Sequence, residues 1–232
     1  MVENMGEMGG MVENMGGMVE TLGLSWQPTL FDALEPDIDR RFSRLERIEL
    51  DDESWVDHAP GWVQSPDGLF QQVVEQREWG QRSRHMHDSK VLEPRLTSQW
   101  SRESNRPLVP ALIETMRGVV SERYGIVFDS VGFNLYRDGK DSVAWHGDHI
   151  DKEIQRPIVV LVSLGQPRRF LLRPKGGGKS RMFSLGGGDL LVTGGLTQRT
   201  WEHSVPKVAK AGPRISVAFR HGLVTASEAN KT

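Results

Sequence analysis

The spacing of apolar residues along the chain changes once, just after Tyr124. Before that point Leu112, Ile113, Met116, Val119 and Val120 recur at three- and four-residue intervals, the period of one helix face. Pro110 suits a first turn and Gly125 stops the pattern, so the spacing predicts a helix over Leu108 to Tyr124. Then come short runs rich in valine, leucine and phenylalanine: Val131 to Tyr136, Ser142 to Trp145, Pro157 to Leu164, Phe170 to Arg173, Arg181 to Leu185, Asp189 to Thr193 and Arg214 to Arg220. They have strand length, turn residues separate them, and Asp138-Gly139 favours a hairpin between the first two. Such a series predicts a closed or sandwiched β-structure, mainly β with flanking helices, an α+β arrangement. Upstream, Gln27 to Leu50 reads as helix and loop, and Trp55 to Arg84 as strands and loops.

A few polar residues interrupt this pattern in a telling order. His146 and Asp148 are two apart, so on a strand they face one side while Gly147 turns away. His203 follows and completes a set of two histidines and one carboxylate. That set leaves three adjacent positions open on octahedral Fe(II), where a chelating cosubstrate and dioxygen bind together. Arg214 and Arg220 are an even number apart, so both guanidinium groups face one side of a strand and can clamp carboxylates. His149 and His221 each fall one step off these faces, and His85-x-His87 has no further ligand in evidence.

The surroundings of these residues carry a resemblance. Asn134-Leu-Tyr136 precedes the first ligands, Trp145 abuts His146, Ser163-Leu-Gly165 follows, and Gly188-Asp-Leu190 precedes Trp201-Glu-His203. With Arg214 to Arg220, and with Pro94-Arg95 at the entry, this region resembles the AlkB family of iron- and 2-oxoglutarate-dependent dioxygenases over roughly Pro94 to His221. The resemblance implies a double-stranded β-helix, or jelly-roll, core. It also implies Fe(II), 2-oxoglutarate and O2 as the reacting set, and oxidative removal of alkyl groups from nucleobases. Hydroxylation of an N-methyl carbon would release formaldehyde, with succinate and CO2 as coproducts.

By the same resemblance, Arg214 pairs with the far carboxylate of 2-oxoglutarate, Asn134 and Tyr136 hydrogen-bond it, and Arg220 lies near the metal end. Ser216 stands where the family frequently has asparagine. Ile150 occupies a position where nucleic-acid demethylases carry a base-reading carboxylate, a part that Asp151 can take. The family's substrate lid falls on the stretch Trp55 to Arg84. Candidate substrate residues are Trp62 and Trp79 for stacking, Arg82 and Arg84 for phosphates, and Asp151 for the base edge. A second basic stretch holds Arg168, Arg169, Arg173, Lys175, Lys179 and Arg181. For each of these the alternative is a core tryptophan or a solvated charge.

Composition narrows the picture. The chain lacks cysteine, which excludes disulfides and thiolate chemistry, and no apolar run reaches the roughly eighteen residues a membrane span needs. The first 57 residues hold 14 acidic and 4 basic side chains, and the rest hold 17 and 25. A body with net charge +8 behind a front of −10 fits a polyanionic partner, with DNA ahead of RNA and no obligate protein partner in evidence. Met1-Val-Glu-Asn-Met-Gly6 recurs at Met11 to Gly16, a repeat with too little apolar variety for a core and without the look of a secretory leader. The expected layout is a disordered tail over 1–23, an extension and lid over 24–93, the dioxygenase core over 94–222 and a flexible end over 223–232, in a cytoplasmic protein. The favoured activity is demethylation of bases such as 1-methyladenine and 3-methylcytosine. Hydroxylation of a small molecule or protein side chain is the alternative, and the intact ligand set argues against a defective nucleic-acid binder.

Overall fold

The structure, a computed structural model, describes residues 22–25, 35–86, 89–148 and 150–222, with backbone alone for 84–86 and 89–90. The repeat over 1–21, the last ten residues, His87, His149 and the side chains of Arg84 and His85 lie outside the description. In chain order the elements are β1 (Asp37–Ile38), β2 (Glu46–Glu49), β3 (Ser54–Ala59), β4 (Val63–Gln64), α1 (Pro66–Gln76), β5 (Ser83–Met86), β6 (Ser89–Leu92), β7 (Leu96–Ser101) and α2 (Ala111–Tyr124). There follow β8 (Ser130–Tyr136), β9 (Val143–His146), β10 (Val159–Gly165), β11 (Arg168–Pro174), β12 (Arg181–Leu185), β13 (Leu190–Gly195), α3 (Thr197–Thr200), β14 (Trp201–Val205) and β15 (Arg214–Arg220).

Two antiparallel sheets form the jelly roll. The larger runs β2-β3-β13-β10-β15-β8-β7 and the smaller β12-β11-β14-β9. One core fills the space between the large sheet and the helices: Leu69, Phe70 and Val73 of α1 and Ile113, Met116 and Val120 of α2 meet Val160, Val162, Leu164, Val217 and Phe219. A second core lies between the sheets and joins Tyr136, Phe170, Leu172, Leu185, Leu191 and Val205. The large sheet is therefore covered on both faces, and β15 reads as buried throughout rather than alternating.

The β-rich body and the second helix follow the sequence pattern, except that Asp138-Gly139 makes no hairpin: β8 pairs with β7 and β15 in the large sheet, and β9 pairs with β14 in the small one. The front of the chain departs further. The described part of Gln27 to Leu50 forms β1 and β2, not helix, because Arg47 pairs with buried Asp57 and lays β2 along β3. β3 in turn pairs with β13, so β2 and β3 extend the large sheet, while β1 pairs with β4 in a separate two-stranded ribbon. Trp55 to Arg84 also contains α1. Pro66 starts it, and Leu69, Phe70, Val73 and Val74 form a helical stripe packed on β10.

Candidate metal and cosubstrate centre

β15 sends alternate side chains to opposite faces. Ile215, Val217 and Phe219 join the helix-side core, so Arg214, Ser216 and Arg220 must turn to the space between the sheets. On β8 the register sets Tyr136 opposite Arg214 and Asn134 opposite Ser216, which gathers the polar residues of both strands on that face. Across the gap His203 of β14 pairs in register with His146 at the end of β9, and their rings are 4.2 Å apart, centre to centre.

β9 stops at His146, so Asp148 is not held by strand geometry as its spacing suggests. Its place is fixed by other groups. Arg220 donates Nε and Nη2 to Oδ1 at 3.0 and 2.9 Å, and the Asp148 amide lies 3.4 Å from Oε1 of Gln198. One ligand atom from each of His146, Asp148 and His203 then falls within 4.8 Å of the others. Nδ1 of His146 meets the Ala144 carbonyl at 2.9 Å, which assigns the proton to Nδ1 and leaves Nε2 as a lone-pair donor. Phe170 stacks on His203 at 5.2 Å and a cavity of about 20 Å³ adjoins the ligands, room for one water-sized molecule.

The electrostatics suit a divalent cation. Burial holds His203 down at about 3, against the pull of Asp148, and burial likewise lowers His146, so both imidazoles are neutral near pH 7. Burial would raise the Asp148 carboxyl, but Arg220 and the two histidines outweigh it and hold it at about 2. The donor set is thus two neutral nitrogens and a carboxylate.

The far end of the same space is cationic. Arg214 is wholly buried, and its Nε donates to Ser163 Oγ at 2.8 Å, while Nη1 and Nη2 have no hydrogen-bond partner. Burial presses its pKa down to about 10. A buried guanidinium with two free amines is expensive unless something anionic meets it, and a carboxylate fits its fork. The residues present therefore fit both groups: iron on His146, Asp148 and His203, and the far carboxylate of 2-oxoglutarate on Arg214. Tyr136 is buried beside Arg214, whose Cζ lies 5.4 Å from its ring centre, and Asn134 accepts from Arg95 Nε at 3.0 Å.

The substrate candidates fare unevenly. Trp62 is a correction: it is 1% exposed, stacks on Phe42 and donates its indole N–H to the Asp39 carbonyl at 2.9 Å, so it serves the helix-side core. Trp79 packs against the same core with its N–H on Val74 O. Arg82 and Asp151 are exposed, and Ile150 is buried. The basic stretch divides by strand register. Arg173 pairs with Glu202 and lies 4.0 Å over Trp145, and Lys175 reaches the Gln198 carbonyl. Arg168 is buried, which leaves Arg169 and Lys179 among the exposed positions. Sequence reasoning missed Gln198 and Arg199. Arg199 donates to the carbonyls of Ile150, Asp151 and Ile154 and so pins the loop behind Asp148. The signal available was their place in the turn just before His203.

Fold and site together define a class. The model of the 2OG-Fe(II) oxygenase superfamily matches residues 56–220, and the chain belongs to that superfamily. Among curated relatives it is 32% identical to the alpha-ketoglutarate-dependent dioxygenase alkB homolog 3 of Bos taurus over 184 residues, covering 70% of this chain and 64% of that protein. The Homo sapiens protein of the same name is also 32% identical, over 69% of this chain and 64% of its own length. The DNA oxidative demethylase ALKBH2 of Arabidopsis thaliana is 36% identical over 137 residues, 48% of this chain and 43% of that one. The chain thus spans somewhat under two thirds of the alkB homolog 3 relatives. No described helix is long and apolar enough to cross a membrane.

Proposed function

We propose that the protein is an Fe(II)- and 2-oxoglutarate-dependent dioxygenase that removes methyl groups from the pairing face of nucleobases, in DNA ahead of RNA. The observation that carries the reading is the pairing, in one inter-sheet space, of three convergent ligand atoms with a buried arginine whose two terminal amines are free. His146, Asp148 and His203 would hold the iron, and Arg214, Tyr136, Asn134 and Ser216 would seat the cosubstrate, with Arg220 holding Asp148 in place. Iron with 2-oxoglutarate and dioxygen supplies an oxidant able to hydroxylate an unactivated methyl group. The hydroxymethyl product on nitrogen then loses formaldehyde without needing a protein acid or nucleophile. The chain's own share is to orient the ligands, shelter the reacting space between two sheets and admit one base at a time.

The nucleobase substrate is supported by the names of the relatives and by the +8 charge of the body. A methyl group on the pairing face also weakens the duplex, so the damaged base is cheaper to extrude than a sound one. The test is an iron- and 2-oxoglutarate-dependent assay on oligonucleotides carrying 1-methyladenine or 3-methylcytosine, as DNA and as RNA, with formaldehyde and mass change both recorded. The expected result is a loss of one methyl mass matched by formaldehyde, faster on DNA. Succinate release that ignores every methylated oligonucleotide but rises with a small metabolite would overturn the nucleic-acid reading.

A further inference from the structure

Arg168 is 3% exposed, although its neighbour Arg169 lies in solvent. β11 explains the difference: Arg168, Phe170 and Leu172 are its alternate buried positions, and the latter two line the inter-sheet core. Phe170 stacks on His203, so Arg168, one inward position further along, stands at the end of the space away from the ligands. There its Cζ lies 5.6 Å from the Tyr136 ring centre, and Arg214 lies 5.4 Å from that same centre. Two buried guanidinium groups thus lie within 5.6 Å of one tyrosine ring centre.

Neither has a carboxylate within ion-pair distance among the described residues. The terminal amines of Arg168 donate instead to three carbonyls, of Asp138, Asp141 and Pro206, at 2.8 to 2.9 Å. Its Nε–H is left without a partner, as are Nη1 and Nη2 of Arg214. Burial lowers both guanidinium pKa values, and the charge of Arg168 further depresses that of Arg214.

We propose that Arg168 is a second cation of the 2-oxoglutarate pocket, so that Arg214, Arg168 and Tyr136 together form a closed end built for the far carboxylate of a dicarboxylate. The inference rests on the cosubstrate assignment above and extends it to a residue outside the motifs that carry it. A carboxylate offers about four acceptor sites, enough for the three unpartnered donors. The three carbonyl bonds fix the guanidinium, so its charge is presented without reorganisation. The same bonds tie the β8–β9 connection and the segment after β14 to the pocket wall. A monocarboxylic 2-oxo acid would leave both cations uncompensated, which selects for the dicarboxylate.

The test is calorimetry on the full chain loaded with Mn(II), titrated with 2-oxoglutarate and with 2-oxobutyrate, which keeps the chelating head and lacks the far carboxylate. Wild-type protein that fails to bind 2-oxoglutarate would sink the cosubstrate assignment itself. Given that binding, Arg168→Met should weaken 2-oxoglutarate about tenfold and change 2-oxobutyrate less than about twofold, while Arg168→Lys keeps 2-oxoglutarate within about threefold. Equal losses for both ligands in Arg168→Met, or a lysine variant as weak as the methionine one, would reduce Arg168 to a structural role and overturn the proposal. Should Arg168→Met not fold, Arg214→Met decides. A residual preference for 2-oxoglutarate over 2-oxobutyrate in that variant supports Arg168, and complete loss of the preference refutes it.

Discussion

β15 is buried along both of its faces, yet the two faces have opposite chemistry. Toward α1 and α2 it shows Ile215, Val217 and Phe219, side chains without a polar group, which close the helix-side core. Toward the smaller sheet it shows Arg214, Ser216 and Arg220, which carry charge into a space that water hardly reaches. The first face earns stability by removing apolar surface from water. The second costs stability, since a buried guanidinium with free amines is worse off than an apolar side chain of the same size. A strand whose covered face is polar is therefore kept for what that face binds, and stability and function should separate along a single strand.

Phe219→Ala breaks the apolar face and should lose about 3–5 kcal/mol of unfolding free energy, read as a lower urea midpoint with the slope unchanged. Iron and cosubstrate binding should persist wherever the variant is still folded. On the other face, Arg214→Met should leave the midpoint of the metal-free protein unchanged or higher, while 2-oxoglutarate affinity falls by roughly 3 kcal/mol or more, over a hundredfold. A variant that loses stability and keeps its 2-oxoglutarate affinity would invert the comparison.

Smaller effects belong to the rim. Arg82 is exposed at the base of the β5–β6 hairpin, and Arg82→Gln should weaken binding of a methylated oligonucleotide while lowering the slope of log affinity against log salt by about 1. An unchanged slope removes Arg82 from the phosphate path. His221 gives the least change. Its Nε2 accepts the Ile158 amide at 3.0 Å and burial lowers its pKa, so the folded state takes up a proton later than the unfolded one. The stability it contributes is present above the unfolded value near 6.5 and is lost as pH falls toward the folded one. Replacing it with glutamine should flatten that acid slope slightly between pH 7 and 5, with the parts due to His58, His146 and His203 remaining.

The strands after Tyr124 were legible because their apolar runs and glycine-rich turns repeat at strand length, and the ligand set because its residue types and order are rarely met by chance. What the sequence hid follows from tertiary pairing. α1 has the helical stripe Leu69, Phe70, Val73 and Val74, but Gly68, Gln71 and Gln72 dilute it until β10 supplies a surface to pack on. Arg168-Arg169 is one basic dipeptide by composition, and strand register alone sends one side chain inward and the other out. Trp62 looks like a stacking residue until the Asp39 carbonyl proves able to satisfy its indole inside the core. Asp148 lies beyond the strand that its spacing suggested, and Arg220, 72 positions later, and Gln198 show what holds it.

The most direct test of the claim that the polar face holds iron at one end and 2-oxoglutarate at the other is an anaerobic titration. Fe(II)-loaded protein is mixed with 2-oxoglutarate, and the visible metal-to-ligand charge-transfer absorption of the chelate is followed. The account predicts a band that saturates at one iron per chain, vanishes in Asp148→Ala, and in Arg214→Met appears only at cosubstrate concentrations higher by about a hundredfold or more. A band of full intensity in Asp148→Ala, or none in the wild-type protein, would contradict it.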